Sequence, residues 1–338
     1  MSHNRELDYM VLTPAGIPDA SLAIAGSRAG AVGLLNLEFV SDPVAARAAV
    51  SDLTTFGQGR IGVILDAEAV QLLDFVLTQS SSNLDLIALT SSAPEQLGRQ
   101  VETIHASGRR AYLVVTSLDE AEAGQAAGVD ALIAKGNEAG GWVGEETAFV
   151  LLQRLISRCH LPIWVQGGIG LHTAAACAVA GAAGVVLDSQ LLLARESPLP
   201  ERVQARINAM DGSETLCLGT AVGASFRAYT RPNLPPVEEL RRFETSSLTG
   251  DQPVELARQT WRALVKERVG WQQPEESILA IGQDAAFAAD LAQRFGTVGG
   301  ILAGLRQSVQ DHCSGARPGD VLAEGAPLAQ SHGTRYPI

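Results

Sequence analysis

Eight short apolar runs, rich in valine, isoleucine and leucine, recur along the first part of the chain and alternate with stretches of helical character. Such runs predict strands buried on both faces, and the helices between them predict parallel pairing. The runs are MVLT near residue 10, AVGLLNLE from Ala31, RIGVILD from Arg60, LDLIALT from Leu84, AYLVVTS from Ala111, DALIAKG from Asp130, LPIWVQGG from Leu161 and AGVVLDS from Ala183. An open doubly wound sheet is the alternative, but eight units without an early GxGxxG fingerprint favour an α/β fold closed as a (β/α)8 TIM barrel.

Capping residues mark where the predicted helices begin and end. Side-chain oxygens typical of a helix N-terminus occur at Asp42 before Pro43, at Ser92 with Glu95, and at Ser117 with Glu120. Glycines that predict a left-handed residue at a helix C-terminus are Gly30, Gly128 and Gly181. These signals fix element boundaries independently of hydrophobicity.

The alternation of apolar runs and helical stretches ends after Ser197. The sequence predicts that the chain has three parts. Residues 1–235 form the barrel, and residues 236–315 form a C-terminal helical accessory segment, which includes the amphipathic VELARQTWRALVKERV. Residues 316–338, rich in Gly, Pro and Ser, are predicted to be a linker.

Glycine-rich turns at the predicted barrel rim indicate a phosphate site. Active sites of this fold lie at the carboxyl ends of the strands, and the loops after the seventh and eighth strands commonly bind phosphate together. Backbone N–H groups in a glycine turn, followed by a helix N-terminus, favour an anion. The predicted phosphate-binding residues are Gly167, Gly168, Ile169, Gly170, Asp188, Ser189 and Gln190. A plain turn, with Asp188 as a helix N-cap, is the alternative.

Two further loops reach the same rim. The first run leads into Thr13, Pro14, Ala15 and Gly16, which would bring backbone close to a ligand or form an ordinary turn. The sixth run leads into KGNEAGGWVGEE. Its candidate site residues are the side chains of Lys135, Glu138 and Trp142 and the backbone of Gly140 and Gly141. Lys135 would face a negative or carbonyl edge of a ligand, or solvent. Trp142 would stack on a ligand, or pack on a neighbouring side chain.

Composition and charge narrow the function. An apolar fraction of 46% supports a large core, and a net charge of -12 argues against nucleic acid as a partner. The four cysteines show no paired spacing, which predicts reduced thiols and no metal site. The N-terminal segment lacks the layout of a signal peptide and no apolar run has membrane-spanning length, so we expect a cytoplasmic protein without a membrane partner.

Taken in order, EAGG at 138–141, QGGIG at 166–170 and AGVVLDSQLLLARES at 183–197 resemble the signature loops of the nitronate monooxygenase (2-nitropropane dioxygenase-like) family. SFRAYTRPN and GQDAAFAAD resemble its tail elements, so the resemblance spans most of the chain. The family consists of FMN-dependent barrels and includes flavin enoyl-acyl carrier protein reductases. The resemblance implies FMN, with its phosphate on the glycine turns and its ring along Thr13–Gly16 and EAGG.

The sequence differs from this family at two positions that concern catalysis. Trp142 stands where the family has a catalytic histidine after EAGG, and an indole cannot shuttle a proton near neutral pH. The asparagine that the family often carries on its third strand is also missing, since that run offers only Asp66.

The last residues, GTRYPI, resemble the opening strand of the same family. Barrels of this family occur within large polyketide or fatty-acid synthases, so the resemblance implies a following domain and other synthase domains as partners.

Three functions follow as hypotheses. The first is an FMN oxidoreductase that acts on a small-molecule or carrier-bound acyl substrate and accepts electrons from NADH or NADPH. The second is a catalytically degenerate barrel that serves as a structural or docking domain of a multidomain synthase. The third is a flavin-free, phosphate-binding barrel with Lys135 as its amine nucleophile.

Overall fold

Eight parallel strands close into a barrel in the computed structural model, which describes residues 7–90, 94–230, 234–249 and 253–313. The strands in chain order are β1 (Asp8–Leu12), β2 (Val32–Asn36), β3 (Ile61–Asp66), β4 (Leu84–Thr90), β5 (Arg110–Val115), β6 (Ala131–Lys135), β7 (Gly141–Trp142), β8 (Ile163–Gln166), β9 (Gly184–Leu187), β10 (Thr215–Leu218) and β11 (Phe226–Tyr229). The barrel order is β1-β2-β3-β4-β5-β6-β8-β9, and β9 closes on β1. The predicted TIM barrel is therefore confirmed, with β8 and β9 as its seventh and eighth strands.

The helices follow the predicted alternation. They are α1 (Ser21–Arg28), α2 (Pro43–Phe56), α3 (Val70–Leu77), α4 (Pro94–Ala106), α5 (Leu118–Ala127), α6 (Ala148–Ile156), α7 (Leu171–Ala180), α8 (Glu201–Ile207), α9 (Pro235–Thr249), α10 (Val254–Arg268), α11 (Ala288–Phe295) and α12 (Val298–Cys313). At the start of α2 the Asp42 carboxylate accepts the Val44 N–H, and at the start of α5 the Ser117 hydroxyl accepts the Glu120 N–H. Gly128 and Gly181 end α5 and α7 in the left-handed conformation, as their positions predict.

The barrel interior is filled by side chains and is not a pore. Its inner layer includes Met10, Leu34, Ile64 and the tilted aromatic pair Tyr112 and Trp164, whose ring centroids lie 5.3 Å apart. Outside the strands, a larger apolar cluster joins the barrel to the surrounding helices. The described barrel interior therefore offers no space for a ligand, and the carboxyl-terminal rim is where sites of this fold lie.

A second layer covers the carboxyl ends of the strands. Its core runs from Leu192 to Ala288 and includes side chains from the loops after β1, β2 and β6, namely Ile17, Phe39 and Trp142. Within it, β10, β11 and β7 form a small antiparallel sheet. This layer extends on both sides of the predicted boundary at residue 235, which stays a prediction.

The last helix returns to the barrel. Buried residues of α12, including Ile301 and Leu305, belong to the main core, and α12 packs against α7 and α1. It therefore takes the eighth position in the helical ring, and residues 188–297 form an excursion between the eighth strand and its helix.

Several predictions lie outside the described residues. These are the N-cap at Ser92, the linker 316–338 and the GTRYPI run. The synthase context that was inferred from that run stays a prediction.

Candidate functional site

The turns after β8 and β9 lie side by side, as a closed barrel requires. The Gln190 side chain joins them: its oxygen accepts the Asp188 N–H at 2.7 Å, and its Nε2 donates to the Ile169 carbonyl at 3.0 Å. Gln190 is fully buried, so both hydrogen bonds are shielded from water. Gln190 therefore braces the two turns and has both ends of its amide occupied.

The glycine turn itself has the predicted conformation. Gly167 and Gly168 have φ of 110° and 65°, which only glycine adopts without strain. The Gly170 N–H, at the start of α7, donates to the Thr173 hydroxyl at 2.6 Å, and that hydroxyl donates to the Gly168 carbonyl. One amide of the predicted phosphate cradle is thus already paired. The Phe287 ring lies 3.5 Å from the position of a methyl group added at Gly170, and it covers this end of the helix.

A carboxylate lies beside the glycine turn. Both oxygens of Glu138 accept the N–H of Ala148, the first residue of α6, at 3.0–3.1 Å. The same carboxylate is the nearest side chain to a methyl group placed at Gly168, at 3.6 Å. Glu138 therefore caps a helix and brings negative charge to the turn.

The segment 280–284 is docked between the turns after β6 and β9. The Gln283 N–H donates to the Glu138 carbonyl at 2.7 Å, and the Gly282 N–H donates to the Ser189 hydroxyl at 3.0 Å. A methyl group at Gly140 would lie 2.5 Å from the Ala280 carbonyl oxygen, so glycine is needed for this approach. The Ser189 hydroxyl, predicted to bind phosphate, thus accepts a hydrogen bond from this segment.

Docking of this segment brings Asp284 into the site. Its side chain is 1% exposed, and neither carboxylate oxygen has a hydrogen-bond donor among the described residues. Burial raises the pKa of Asp284 well above its ordinary value, and the nearby acids Asp188 and Glu138 raise it further. The predicted phosphate site therefore contains three acidic side chains.

The loop after β1 is covered by an aromatic side chain. Trp271, which is 2% exposed, donates its Nε1–H to the Ala15 carbonyl at 2.8 Å. Thr13 braces the neighbouring strand, because its hydroxyl accepts the Asn36 N–H at 2.9 Å. A methyl group at Gly16 would lie 3.1 Å from a Val269 methyl. The backbone that was predicted to support a flavin ring is thus in contact with residues 269–271.

The space left at the centre of the rim is small. The cavity there has a volume of about 30 Å³ and is bordered by all three loops, as predicted. Its lining includes Thr13, Pro14, Ala15, Lys135, Gly140, Gly141, Asp188 and Ser189, together with Phe39 and Trp271. The sequence thus brings the correct loops together, but side chains of the second layer occupy most of the space between them.

A larger cleft of about 220 Å³ lies over the ends of β4, β5 and β6. Lys135 and Glu38 line both this cleft and the central cavity. Lys135 is 6% exposed, and its Nζ has no hydrogen-bond or ion-pair partner in the described parts of the chain. The Glu38 carboxylate, 7% exposed, accepts a hydrogen bond of 3.3 Å from the Asn36 side chain. A cation and an anion therefore face one cleft without pairing.

Trp142 is packed on its neighbours. Its ring lies 4.9 Å from Phe226 in an edge-to-face arrangement and 6.1 Å from Phe39, and the Arg262 guanidinium stacks over it at 4.9 Å. Pairing of β7 with β11 holds it in this position. Trp142 forms a wall of the larger cleft and brings no acid or base to it.

The third strand ends in an ion pair. Asp66 Oδ2 lies 2.9 Å from Lys266 Nζ on α10, and Asp66 Oδ1 accepts the Glu68 N–H at 3.0 Å. Asp66 therefore joins the second layer to the barrel and does not line the central cavity.

Sequence reasoning missed four residues of the site. Glu38 carried a usable signal, because it closely follows β2 just as Lys135 ends β6. Asp284 lies in GQDAAFAAD, which resembles a tail element of the family, but that motif did not indicate contact with the rim. Trp271 and Phe39 carried no signal.

Two general properties can be stated for the parts of the chain that the structure describes. No cluster of three or more His, Cys, Asp or Glu side chains there is arranged to hold a metal ion. No helix within those ranges is long and apolar enough to cross a membrane.

The chain belongs to the nitronate monooxygenase family, whose model matches residues 62–305. It is 24% identical over 272 residues to a (3aS,4S,5R,7aS)-5-hydroxy-7a-methyl-1-oxo-octahydro-1H-indene-4-carboxyl-CoA dehydrogenase of Mycobacterium tuberculosis, covering 77% of this chain and 74% of that protein. It is 27% identical over 180 residues to a probable nitronate monooxygenase of Staphylococcus saprophyticus, covering 49% of each. By their names these relatives are oxidoreductases, and the family resemblance of the sequence is confirmed.

Solved structures share the fold. FabK from Thermotoga maritima superposes with a TM-score of 0.73 at 22% identity, covering 92% of this chain and 96% of that one. Nitroalkane oxidase from Streptomyces ansochromogenes gives a TM-score of 0.68 at 18% identity, with coverage of 90% and 96%. Membership of the family makes a flavin the expected cofactor. Whether a flavin fits this chain depends on the side chains at the rim.

Proposed function

We propose that this chain is a flavin-independent member of its family, a barrel module that binds a small polar acid beside Lys135 and does not transfer hydride. One observation carries the proposal: the rim where a flavin would lie retains a cavity of only about 30 Å³. Pockets that bury ligands of drug size usually have volumes of roughly 300–1,000 Å³.

The residues around the central cavity do not fit the ring of FMN. Trp271 and Phe39 border the space beside Thr13–Gly16, and Trp271 is fixed there by its hydrogen bond to Ala15. A buried indole with a satisfied N–H is a stable packing unit, so a ring system would have to displace part of the second-layer core.

The phosphate end also fits poorly. FMN carries a phosphate with about two negative charges, and the turns that would hold it include Asp188 and lie beside Glu138. Like charges at close range in a water-poor site repel strongly. Of the neutral donors predicted for the phosphate, the Gln190 amide already donates to the Ile169 carbonyl, and the Ser189 hydroxyl oxygen already accepts the Gly282 N–H.

The larger cleft supports a different ligand. The Lys135 ammonium lines the cleft without a hydrogen-bond or ion-pair partner in the described chain, and an anionic group of a ligand would pair with it there. Glu38 lies in the same cleft and would accept a hydrogen bond from a hydroxyl or amino group. We therefore expect a ligand that carries both a carboxylate and a donor, such as a small hydroxy acid, placed against the Trp142 wall.

Flavin binding is tested by titrating the purified protein into FMN and following flavin fluorescence. We expect no quenching at protein concentrations that saturate ordinary flavoproteins. Stoichiometric quenching, followed by reduction of the bound flavin with NADH or NADPH, would overturn the proposal and restore the oxidoreductase hypothesis.

Ligand binding is tested with mandelate, using thermal unfolding as the readout. Phenylacetate, which lacks the hydroxyl, and mandelamide, which lacks the charge, are the matched ligands. We expect mandelate to raise the unfolding temperature of the wild type and to have no effect on Lys135→Met, which keeps the length of the side chain. Equal effects on the two proteins, or no effect on either, would show that Lys135 is not the anchor.

A further inference from the structure

Asp284 is the most unusual titratable group in the described chain. It lies in the short 3-10 turn Gln283–Phe287 and is buried, and as a carboxylate it has no hydrogen-bond donor within the described ranges. The charged groups that face it are Asp188 from the turn after β9 and Glu138 from the turn after β6, and both are acids. No Lys, Arg or His of those ranges forms an ion pair with any of the three.

Asp188, unlike Asp284, accepts hydrogen bonds from neighbouring groups. Its Oδ1 accepts the Ser189 N–H at 2.6 Å, and its Oδ2 accepts the Gln166 Nε2–H at 2.7 Å. Asp188 thus accepts two hydrogen bonds, whereas the only donor near the Asp284 carboxyl within the described ranges is its own backbone N–H. A hydrogen bond between the two acids requires a proton on one of them, and this asymmetry assigns it to Asp284.

We propose that Asp284 is a neutral carboxylic acid that donates a hydrogen bond to the Asp188 carboxylate, and that this acid pair closes the phosphate subsite with the chain's own segment 280–287. The pair satisfies a buried group that would otherwise be an unpaired charge. It also joins the Gly282–Ser189 and Gln283–Glu138 hydrogen bonds in holding the segment on the rim. The second half of the inference rests on the proposed function, since it explains why the rim excludes a phosphate.

The pH dependence of stability tests the acid pair. Burial and the two neighbouring acids raise the pKa of Asp284, so the native state keeps a proton that the unfolded state releases above about pH 4. Stability from this group is complete below that pH and is lost as the pH rises toward the raised pKa. Relative to Asp284→Asn, the unfolding constant of the wild type should rise about tenfold per pH unit in that interval.

A matched control and a second readout make this test specific. Asp290→Asn, an exposed substitution on α11, should keep the wild-type pH profile. At about pH 5, just above the ordinary pKa of an aspartic acid, the wild type and Asp290→Asn should show the infrared C=O band of a buried protonated carboxylic acid, and Asp284→Asn should lack it. Parallel pH profiles of the wild type and Asp284→Asn, or a wild type without that band, would overturn the assignment.

Inorganic phosphate tests the closed subsite. We expect Asp284→Ser, which removes the acid and frees volume, to bind phosphate at least tenfold more tightly than the wild type. Asp284→Asn, which keeps the volume, should not. A folded Asp284→Ser with unchanged phosphate affinity would refute the closure.

The flavin-independent function and the acid pair of Asp284 and Asp188 are refuted by different results. FMN binding by the wild type would overturn the flavin-independent function and leave the pH profile to decide the acid pair. If the protein binds no FMN, but the difference in stability between the wild type and Asp284→Asn does not change with pH, only the proposed acid pair is refuted.

Discussion

Gly140→Ala tests the contact that closes the rim. The added methyl group would lie 2.5 Å from the Ala280 carbonyl oxygen and 2.8 Å from the Gly282 nitrogen, both of them backbone atoms that cannot rotate away. Gly140 is not in the left-handed region, so the cost arises from this contact alone. Overpacking of this kind costs about 1–3 kcal/mol. Displacement of the segment would also break its hydrogen bonds to Ser189 and Glu138, at about 1 kcal/mol each.

The expected loss in the free energy of unfolding is therefore about 3–5 kcal/mol. Urea denaturation followed by far-UV circular dichroism measures it. Gly98→Ala is the matched control: it lies inside α4 and its added methyl group meets no atom within 4 Å. That variant should be more stable than the wild type by about 0.5–1 kcal/mol. Gly140→Ala with wild-type stability would refute the close approach of segment 280–282 to the rim.

Two further substitutions test the turns and the missing histidine. Gln190→Leu removes both hydrogen bonds that join the turns after β8 and β9 and leaves the buried Ile169 carbonyl without its donor, so we expect a loss of about 2–4 kcal/mol by urea denaturation. A cost near zero would show that the turns are held by other contacts. Trp142→His restores the residue of the family motif, and an oxygen electrode should detect no nitronate oxidation, because the space for the flavin remains filled. Measurable turnover by this variant would contradict the closed rim.

The barrel could be predicted from the sequence because its signals are local. Each strand is an apolar run between turns, and Asp42, Ser117, Gly128 and Gly181 mark helix ends through contacts within a few residues. The adjacency of the Gly167 and Asp188 turns followed from closure alone, since neighbouring strands bring their carboxyl ends together.

The state of the site could not be predicted, because it depends on contacts between distant residues. Trp271 contacts the Ala15 carbonyl, and Asp284 lies near Asp188, because the second layer covers the rim. The family motifs of the barrel loops do not indicate which side chains of the second layer fill the space between those loops. The tail motif GQDAAFAAD contains Asp284 but does not indicate where that segment docks. Glu38 could have been predicted from the sequence, because it follows a strand at the rim just as Lys135 ends one.

The most direct test of the account is the flavin content of the protein purified after expression in cells supplied with riboflavin. The absorbance spectrum, together with the flavin released from denatured protein, gives the number of flavins per chain. A side-chain-filled rim predicts a colourless protein with essentially no flavin. A yellow preparation that releases one FMN per chain would contradict it.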